Sequence, residues 1–96
     1  MKVRFVAPAA SQLAIILSDL ASKNQKAANG LSMRVSQVIE RLGKFPYAFQ
    51  SIDARPGIRR VPLFPYPYIM FYRVLADEVA IVAVVHGARK EPWENL

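Results

Sequence analysis

The stretch YIMFYRVLADEVAIVAVVH (residues 68–86) decides the fold, because its pattern indicates two strands joined by a tight turn. Residues 68–75 and 79–85 are rich in β-branched and aromatic side chains, which favour strands. Ala76-Asp77-Glu78 between them predicts a hairpin loop. Because residues 79–85 are apolar on both faces, we predict that they form a central strand of a sheet.

Two further strands are predicted outside this hairpin. Residues 58–63 predict one, and Pro62 places it at a sheet edge because proline has no N–H to donate. Residues 2–6 alternate polar and apolar side chains, which predicts a short strand with one buried face. Residues 44–57 predict a long loop, and residues 87–96 predict a polar tail.

A first helix is predicted over residues 8–22, with Pro8 at its first position, where the missing N–H costs nothing. Its apolar residues recur at i, i+3, i+4 and i+7, which is the spacing of one helix face. These residues are Leu13, Ile16, Leu17 and Leu20.

A second helix is predicted between Asn24, a suitable N-cap, and Gly43, which suits the residue just after a helix end. Gly30 inside it costs about 1 kcal/mol relative to alanine, so it marks either a break or a close helix contact. The short connection between the helices predicts an antiparallel αα-hairpin. The apolar face comprises Ala27, Leu31, Val35, Val38, Ile39 and Leu42.

Together these elements predict an α+β fold with the order β-α-α-β-β-β. An N-terminal strand is followed by the αα-hairpin and then by a three-stranded, mostly antiparallel sheet, with the hairpin packed on one face. The chain has 96 residues, which is short for two ordinary cores, so residues 1–96 are predicted to form one domain.

Composition limits the classes of function. The sequence has no cysteine, which excludes a disulfide scaffold and any cysteine-based metal site. His86 is the single histidine and cannot form a structural zinc site alone. We therefore predict no metal and no cofactor. The formal charge of +6 favours a nucleic acid or an acidic protein as partner.

The longest apolar run, residues 79–85, is too short to span a membrane. The apolar stretch at residues 13–17 is too short for the core of a signal peptide. We therefore predict a cytoplasmic protein without a membrane partner.

Arginines are the first candidate site residues. Arg55, Arg59, Arg60 and Arg73 lie in a window without acids, and guanidinium groups bind phosphates and carboxylates. Arg59 and Arg60 must point to opposite faces of a strand, so only one of them can share a face with Arg73. The alternative is that Arg59 and Arg60 are solvated charges that protect a sheet edge.

The end of the last strand is the second candidate. His86 could act as a general acid or base, and Arg89 could hold a phosphate. The alternative is that His86 binds a backbone group.

Aromatic residues concentrate in the second half of the chain, where they suit base stacking, core packing or a partner helix. In residues 68–72, alternation places Phe71 on one face and Tyr68, Met70 and Tyr72 on the other, and we expect at least one set to be core. The other aromatic residues of this half are Phe45, Tyr47, Phe49, Phe64, Tyr66 and Trp93.

The element order, residues 65–74, the run at residues 79–85 and the ending His86-Gly87-Ala88-Arg89 resemble the RelE/ParE toxin superfamily of type II toxin–antitoxin systems. The resemblance covers nearly the whole chain. It implies one of two activities. RelE-like members are ribosome-dependent mRNA endonucleases, whereas ParE-like members inhibit DNA gyrase. Both are neutralised by a cognate antitoxin, with which they can form a hetero-oligomer.

The resemblance implies site residues for each activity. An endoribonuclease would use Arg60, Arg73, His86 and Arg89 against mRNA on the ribosome. Tyr68 stands where many relatives have arginine, and Trp93 follows in a tail without tyrosine or further histidine, so we favour the ParE-like, non-enzymatic reading. Target-binding residues are then predicted to be Arg59, Arg60, Arg73, His86, Arg89 and Trp93. Antitoxin-binding residues are predicted to be Leu13, Ile16, Leu17 and Leu20. A basic RNA- or protein-binding module is the alternative outside the toxins.

Overall fold

A five-stranded sheet with two helices on one face makes up the fold, seen in a computed structural model that describes residues 1–88 and 96. The predicted α+β class is confirmed. The elements are β1 (Lys2–Phe5), α1 (Ala7–Lys23), α2 (Gln25–Lys44), β2 (Ser51–Ile52), β3 (Arg55–Pro62), β4 (Tyr68–Val74) and β5 (Glu78–His86).

The strands lie in the order β1-β5-β4-β3-β2. The pairs β2–β3, β3–β4 and β4–β5 are antiparallel, whereas β1 runs parallel to β5. An ion pair joins this parallel pair, with 2.8 Å between Arg4 Nε and Glu78 Oε1. The sheet is therefore mostly antiparallel, as predicted, and β5 lies inside it between two neighbours.

The predicted loop over residues 44–57 is wrong in its second half. It contains the two-residue strand β2, and β3 begins at Arg55 instead of residue 58. Gly57 adopts a φ of 86°, which is in the left-handed region that glycine enters without strain. Pro56 and Gly57, at the end of the predicted loop, are therefore accommodated within a strand beside a shift in the β2–β3 register.

β2 also corrects the prediction that the strand containing Pro62 is an edge strand. β3 lies between β4 and β2. Its pairing with β2 involves Arg55 and Arg59, however, and Pro62 lies beyond that pairing. The proline therefore tolerates its missing N–H because the short β2 does not reach it.

Asn24 separates the two helices and satisfies backbone groups of both. Its backbone N–H donates to the Leu20 carbonyl, at 2.7 Å, and closes α1. Its side-chain oxygen accepts from the Ala27 N–H, at 3.1 Å, and caps α2. The predicted N-cap is confirmed. α1 begins at Ala7, one residue before the predicted start.

The predicted end of α2 at Gly43 is wrong, because the helix continues to Lys44 and Phe45 caps it. Gly43 accepts a hydrogen bond from the Met1 amino group, at 2.6 Å. A Cβ on Gly43 would lie 3.1 Å from the Met1 carbonyl oxygen. Glycine at position 43 therefore permits the close approach of β1, and no turn requires it.

Gly30 marks a close contact and not a break, because α2 is continuous through it. A Cβ at this position would overlap the Tyr66 hydroxyl group. The loop after β3 therefore rests directly on the helix.

Buried residues form one cluster on each face of the sheet. The helix-side cluster joins Leu31, Val38 and Leu42 of α2 to Met70 and Tyr72 of β4, among others. Among the described residues, the outer-face cluster contains no helical residue and consists of Ile58, Ile69, Phe71, Ala83 and Val85, with Ile52, Val82 and Leu96 packed against it. The predicted alternation of β4 is confirmed, and both of its residue sets contribute to a core.

A bulge in β5 alters its alternation. Phe71 pairs with Ala83 and Tyr72 pairs with Ile81, so Val82 is an additional residue. The N–H of Val84 donates to the side-chain oxygen of Gln12 in α1, at 2.8 Å. The first helix is therefore fixed to the sheet by a polar contact as well as by apolar packing.

Within residues 1–88 and 96, no helix has the length and apolar character needed to cross a membrane. The same residues contain no group of three or more histidine, aspartate or glutamate side chains placed to hold a metal ion.

Candidate functional site on the outer face of the sheet

The register of β3 and β4 separates the two adjacent arginines. Arg59 lies opposite Tyr72, whose side chain belongs to the helix-side cluster. Arg60 lies opposite Phe71, whose side chain belongs to the outer-face cluster. The two arginines therefore point to opposite faces, as the strand period requires.

Arg60 and Arg73 share the outer face. Arg73 follows Phe71 by two residues on β4, so it is the diagonal neighbour of Arg60. Such neighbours have Cβ atoms roughly 7 Å apart. The guanidinium group of Arg73 rests on Gly57, since a Cβ there would lie 3.1 Å from Arg73 Nη1. This role of Gly57 was not predicted, although a glycine between Arg55 and Arg59 is a visible signal in the sequence.

Both arginines are half-buried above an apolar floor that includes Ile58 and Phe71. Within the part of the chain that the structure describes, the ion pairs are Arg4–Glu78, Lys23–Asp19 and Lys44–Glu40. Neither outer-face arginine takes part in them. This outer-face arginine pair, Arg60 and Arg73, therefore presents two cations beside buried apolar side chains.

Arg59 has a different environment on the helix side. Its Nη1 donates to the Phe49 carbonyl, at 2.7 Å. Its guanidinium carbon lies 4.9 Å from the centroid of the Tyr47 ring, which is a cation–π contact. Arg59 is therefore used to hold the segment after α2, and the structure does not bring it together with Arg60 and Arg73.

Tyr72 also binds the segment that follows α2. Its hydroxyl donates to the Pro46 carbonyl, at 2.9 Å. Burial raises the pKa of Tyr72, while a hydrogen bond with the Phe49 backbone and the positive charge of Arg59 act in the opposite direction.

His86 ends β5 opposite Tyr68, and the two rings meet edge to face with centroids 5.5 Å apart. Its Nδ1 accepts a hydrogen bond from the Ala88 N–H, at 3.0 Å. Tyr68 packs against the helix-side cluster, so His86 also faces that side. The structure therefore separates His86 from the outer-face arginine pair. Arg89 and Trp93 lie outside the described residues.

Four residues of α1 were predicted to bind an antitoxin. All four are half-buried and pack against the helix-side cluster. Ile15, on the other side of this helix, is exposed. The apolar face of α1 is therefore only partly covered, and its role in binding stays a prediction. These residues are Leu13, Ile16, Leu17 and Leu20.

Comparison with known proteins identifies the family. The sequence profile described as "ParE toxin of type II toxin-antitoxin system, parDE" matches residues 3–91. The chain belongs to the ParE toxin family. The predicted superfamily, and the preference for its ParE side, are confirmed.

Solved structures agree with this ParE fold. Ten chains match, and one of them comes from the structure "Chromosomal ParDE TA system from P. aeruginosa". The similarity has a TM-score of 0.77 and covers 90% of this chain and 95% of that chain. With 18% sequence identity, it shows the fold alone. No curated protein sequence matches the chain.

Proposed function

We propose that this ParE-family toxin inhibits DNA gyrase by binding to it, and that a cognate antitoxin neutralises it. The observation that carries the proposal is the outer-face arginine pair, in which Arg60 and Arg73 stand above an apolar floor. Guanidinium groups beside apolar surface suit recognition of an acidic protein surface. His86, the one histidine, faces the other side of the sheet, so a binding function fits this face better than acid–base chemistry.

Binding would require no bond to be made or broken by the toxin. The sheet fixes the backbone positions of both arginines, so less conformational entropy is lost when the two cations meet carboxylates than for arginines on a loop. Arg73 is further restrained by its contact with Gly57. The rest of the predicted target surface is Arg59, His86, Arg89 and Trp93, and the first two of these lie on the helix side.

The antitoxin part of the proposal rests on α1. Leu13, Ile16, Leu17 and Leu20 are half-buried and provide apolar area that an amphipathic segment could cover. The similar P. aeruginosa structure is of a ParDE toxin–antitoxin system. We therefore infer a toxin–antitoxin hetero-oligomer, with residues 1–96 as one toxin domain acting in the cytoplasm, where its target would be.

The experiment is to induce the toxin without its antitoxin and to follow DNA synthesis and translation during the first minutes. Early loss of DNA synthesis with intact translation is the expected result. Growth inhibition without any gyrase-dependent DNA damage would refute the proposal.

The antitoxin surface has its own test. Leu17→Ala should weaken the complex with the antitoxin about tenfold, because it removes half-buried apolar area. Ile15→Ala is the matched control on the exposed side of the same helix. Unchanged antitoxin binding by Leu17→Ala would remove this face of α1 from the antitoxin interface.

A RelE-like mRNA endoribonuclease remains the alternative. It would need Arg60, Arg73, His86 and Arg89 to act on one phosphate, with the arginines stabilising charge and the histidine moving a proton. The separation of His86 from the arginine pair disfavours it. Early loss of translation, with mRNA cleavage that His86→Ala abolishes, would favour it over gyrase inhibition.

A further inference from the structure

The segment that follows α2 exposes two aromatic rings. The exposed fractions are 58% for Phe45 and 66% for Tyr47. Residues 45–48 line an open hollow of about 690 Å³, a volume within the range of small-ligand sites. Arg41 and Lys44, in the last turn of α2, complete its lining. We call this surface the 45–48 platform.

Each exposed ring of the platform lies beside a guanidinium group. The guanidinium carbon of Arg41 is 5.8 Å from the centroid of the Phe45 ring, and that of Arg59 is 4.9 Å from the centroid of the Tyr47 ring. Both distances are those of cation–π contacts. A single exposed apolar residue is ordinary, but two exposed rings that each have a cation beside them combine stacking surface with positive charge. Proteins that bind single-stranded nucleic acids use this combination.

Positive charge continues from the platform along α2. A second hollow shares Arg41, Lys44 and Phe45 with the first and adds Arg34 to its lining. From Arg34 to Lys44 the helix rise gives a length of roughly 15 Å. Among the described residues that line the two hollows, the carboxylate is that of Glu40, which Lys44 pairs at 3.4 Å with both side chains mainly exposed. Because such a surface pair is weak, this stretch suits a ligand that carries several negative charges.

Arg34 has unused capacity to donate hydrogen bonds. Its Nη1 is 3.5 Å from the side-chain oxygen of Gln37, a long hydrogen bond. Its Nε is buried and has no hydrogen-bond partner within the described part of the chain. Buried polar groups are normally paired, so this guanidinium group is suited to a further acceptor. A phosphate oxygen is such an acceptor, because guanidinium groups bind phosphates through charge-assisted hydrogen bonds.

The lining of the two hollows is aromatic and cationic. Among the described residues it contains no leucine, isoleucine, valine or methionine. A peptide that docks in a groove needs apolar surface for its anchors, whereas every nucleobase has a flat face that stacks on an aromatic ring. The platform therefore fits a strand of nucleic acid better than an acidic peptide. Besides residues 45–48, the lining residues are Arg34, Gln37, Glu40, Arg41 and Lys44.

The backbone of the platform is tied to the sheet on both sides of Tyr47. Before it, the Pro46 carbonyl accepts a hydrogen bond from the Tyr72 hydroxyl of β4, at 2.9 Å. After it, the Phe49 carbonyl accepts from Arg59 of β3, at 2.7 Å. A backbone that is already fixed loses less conformational entropy when a ligand binds.

We propose that the 45–48 platform binds single-stranded nucleic acid, with bases stacked on Phe45 and Tyr47 and phosphates held by the cations of α2. The recognised chemistry is a nucleobase linked to a phosphate, which DNA and RNA share. The site goes beyond the gyrase inhibition proposed above, because the outer-face arginine pair lies on the opposite side of the sheet from Arg59. Duplex nucleic acid fits less well, since its bases already stack on one another.

Fluorescence anisotropy with four labelled probes tests the proposal. They are an oligothymidine of about 16 nucleotides, an oligouridine and a DNA duplex of the same length, and an oligoglutamate with the charge of the oligothymidine. The oligothymidine is expected to bind at least about tenfold more tightly than the duplex and the oligoglutamate, because these two offer no unpaired base. The oligouridine distinguishes the source of the strand, since tighter binding than oligothymidine would assign RNA to the same site.

Two substitutions of Tyr47 test the stacking. Tyr47→Ala should weaken oligothymidine binding about tenfold, because one base loses its aromatic partner. Tyr47→Phe keeps the ring and should bind within about twofold of the unsubstituted protein. Phe64→Ala is the matched control, because it removes a ring that is 72% exposed and lies outside both hollows. It should have less than about a twofold effect.

Arg41→Gln tests the contribution of charge. For single strands, the logarithm of the binding constant falls with the logarithm of the salt concentration, with a slope of about −0.7 for each neutralised phosphate. Arg41→Gln should therefore make this slope shallower by about 0.7. Lys23→Gln removes the same charge from an exposed position of α1, outside the two hollows, and should leave the slope unchanged.

Any of four results would overturn the proposal. The oligothymidine could fail to bind, the duplex or the oligoglutamate could bind as tightly as the oligothymidine, Phe64→Ala could match Tyr47→Ala, or Lys23→Gln could change the salt dependence as much as Arg41→Gln. Tight binding of the oligoglutamate would point to an acidic protein instead. Melting curves check that the variants remain folded. Because the readout is binding of nucleic acid alone, a failure here leaves gyrase inhibition untouched, and the reverse also holds.

Discussion

The two faces of the sheet use the same residue type for different purposes. Arg59 and Arg60 are adjacent in the sequence, yet Arg59 holds the segment after α2 through the Phe49 carbonyl, whereas Arg60 joins Arg73 above the outer-face cluster. The helix-side arginine already has a hydrogen-bond acceptor and an aromatic ring as partners. For these two neighbours, the face of the strand, and not position along the chain, decides whether the arginine holds another segment of the fold or joins the pair to which we assign target binding.

The largest effect should come from the outer face. The double substitution Arg60→Ala/Arg73→Ala should weaken gyrase inhibition about a hundredfold, equivalent to about 2.7 kcal/mol, because it removes both cations of the pair. A supercoiling assay with purified gyrase measures the effect. The free energy of unfolding should change by less than about 1 kcal/mol.

Arg55→Ala serves as the control for this experiment, because it removes an arginine from the start of the same strand without touching the pair. Inhibition by the double variant that matches the unsubstituted toxin would contradict the assignment of the outer face.

On the helix side we expect a smaller effect, and we expect it on stability instead of on gyrase inhibition. Arg59→Ala should lower the free energy of unfolding by about 2 kcal/mol, because it leaves the Phe49 carbonyl without its charged donor and removes the contact with Tyr47. Denaturant unfolding measures the change. Loss of gyrase inhibition without loss of stability would show that the two faces do not divide their roles in this way.

Tyr72→Phe should lower the free energy of unfolding by about 1 kcal/mol, since the Pro46 carbonyl loses its donor. It should also change the pH dependence. Burial raises the pKa of folded Tyr72, so the folded state holds this proton more tightly than the unfolded state, whose pKa is about 10. The resulting stability is fully present below pH 10 and is lost as the pH rises through the folded pKa.

Thermal melting between pH 9 and pH 12 checks this sign. The unsubstituted protein should lose stability more steeply over that interval than Tyr72→Phe does. Parallel curves for the two proteins would contradict the proposed role of burial.

The smallest effect is expected for His86→Ala. The side chain is exposed, and its polar contact is the local hydrogen bond with the Ala88 N–H. We expect a change in the free energy of unfolding of about 0.5 kcal/mol or less, and gyrase inhibition within about twofold of the unsubstituted toxin. A large loss of inhibition would return His86 to the target surface and require a site that extends beyond one face.

Much of the fold was predictable because its signals are local. Helical spacing identified both helices, Asn24 marked the boundary between them, and alternation in residues 68–72 gave the two faces of β4 correctly. Strand period also showed that one of Arg59 and Arg60 must face away from Arg73.

The errors involve contacts between residues far apart in the sequence. Gly43 suited a helix end, but in the structure the backbone of Met1, just before β1, lies beside it. Gly57 was placed in a loop, but it lies within β3, between the two residues that pair with β2, Arg55 and Arg59. The roles of Arg59 and the placement of His86 depend on register, which periodicity alone does not determine.

The parallel pairing of β1 with β5 means that the sheet cannot be completed until the end of the chain has been synthesised. Arg4 and Glu78 are 74 positions apart, so at roughly 5–20 residues per second the first strand waits about 4–15 s for its neighbour during synthesis. Both helices are complete by Lys44, well before Ala83 and Val85 can support Phe71 beneath the arginine pair. A nascent toxin would therefore complete the helix proposed to bind its antitoxin several seconds before it completes the surface proposed to bind gyrase.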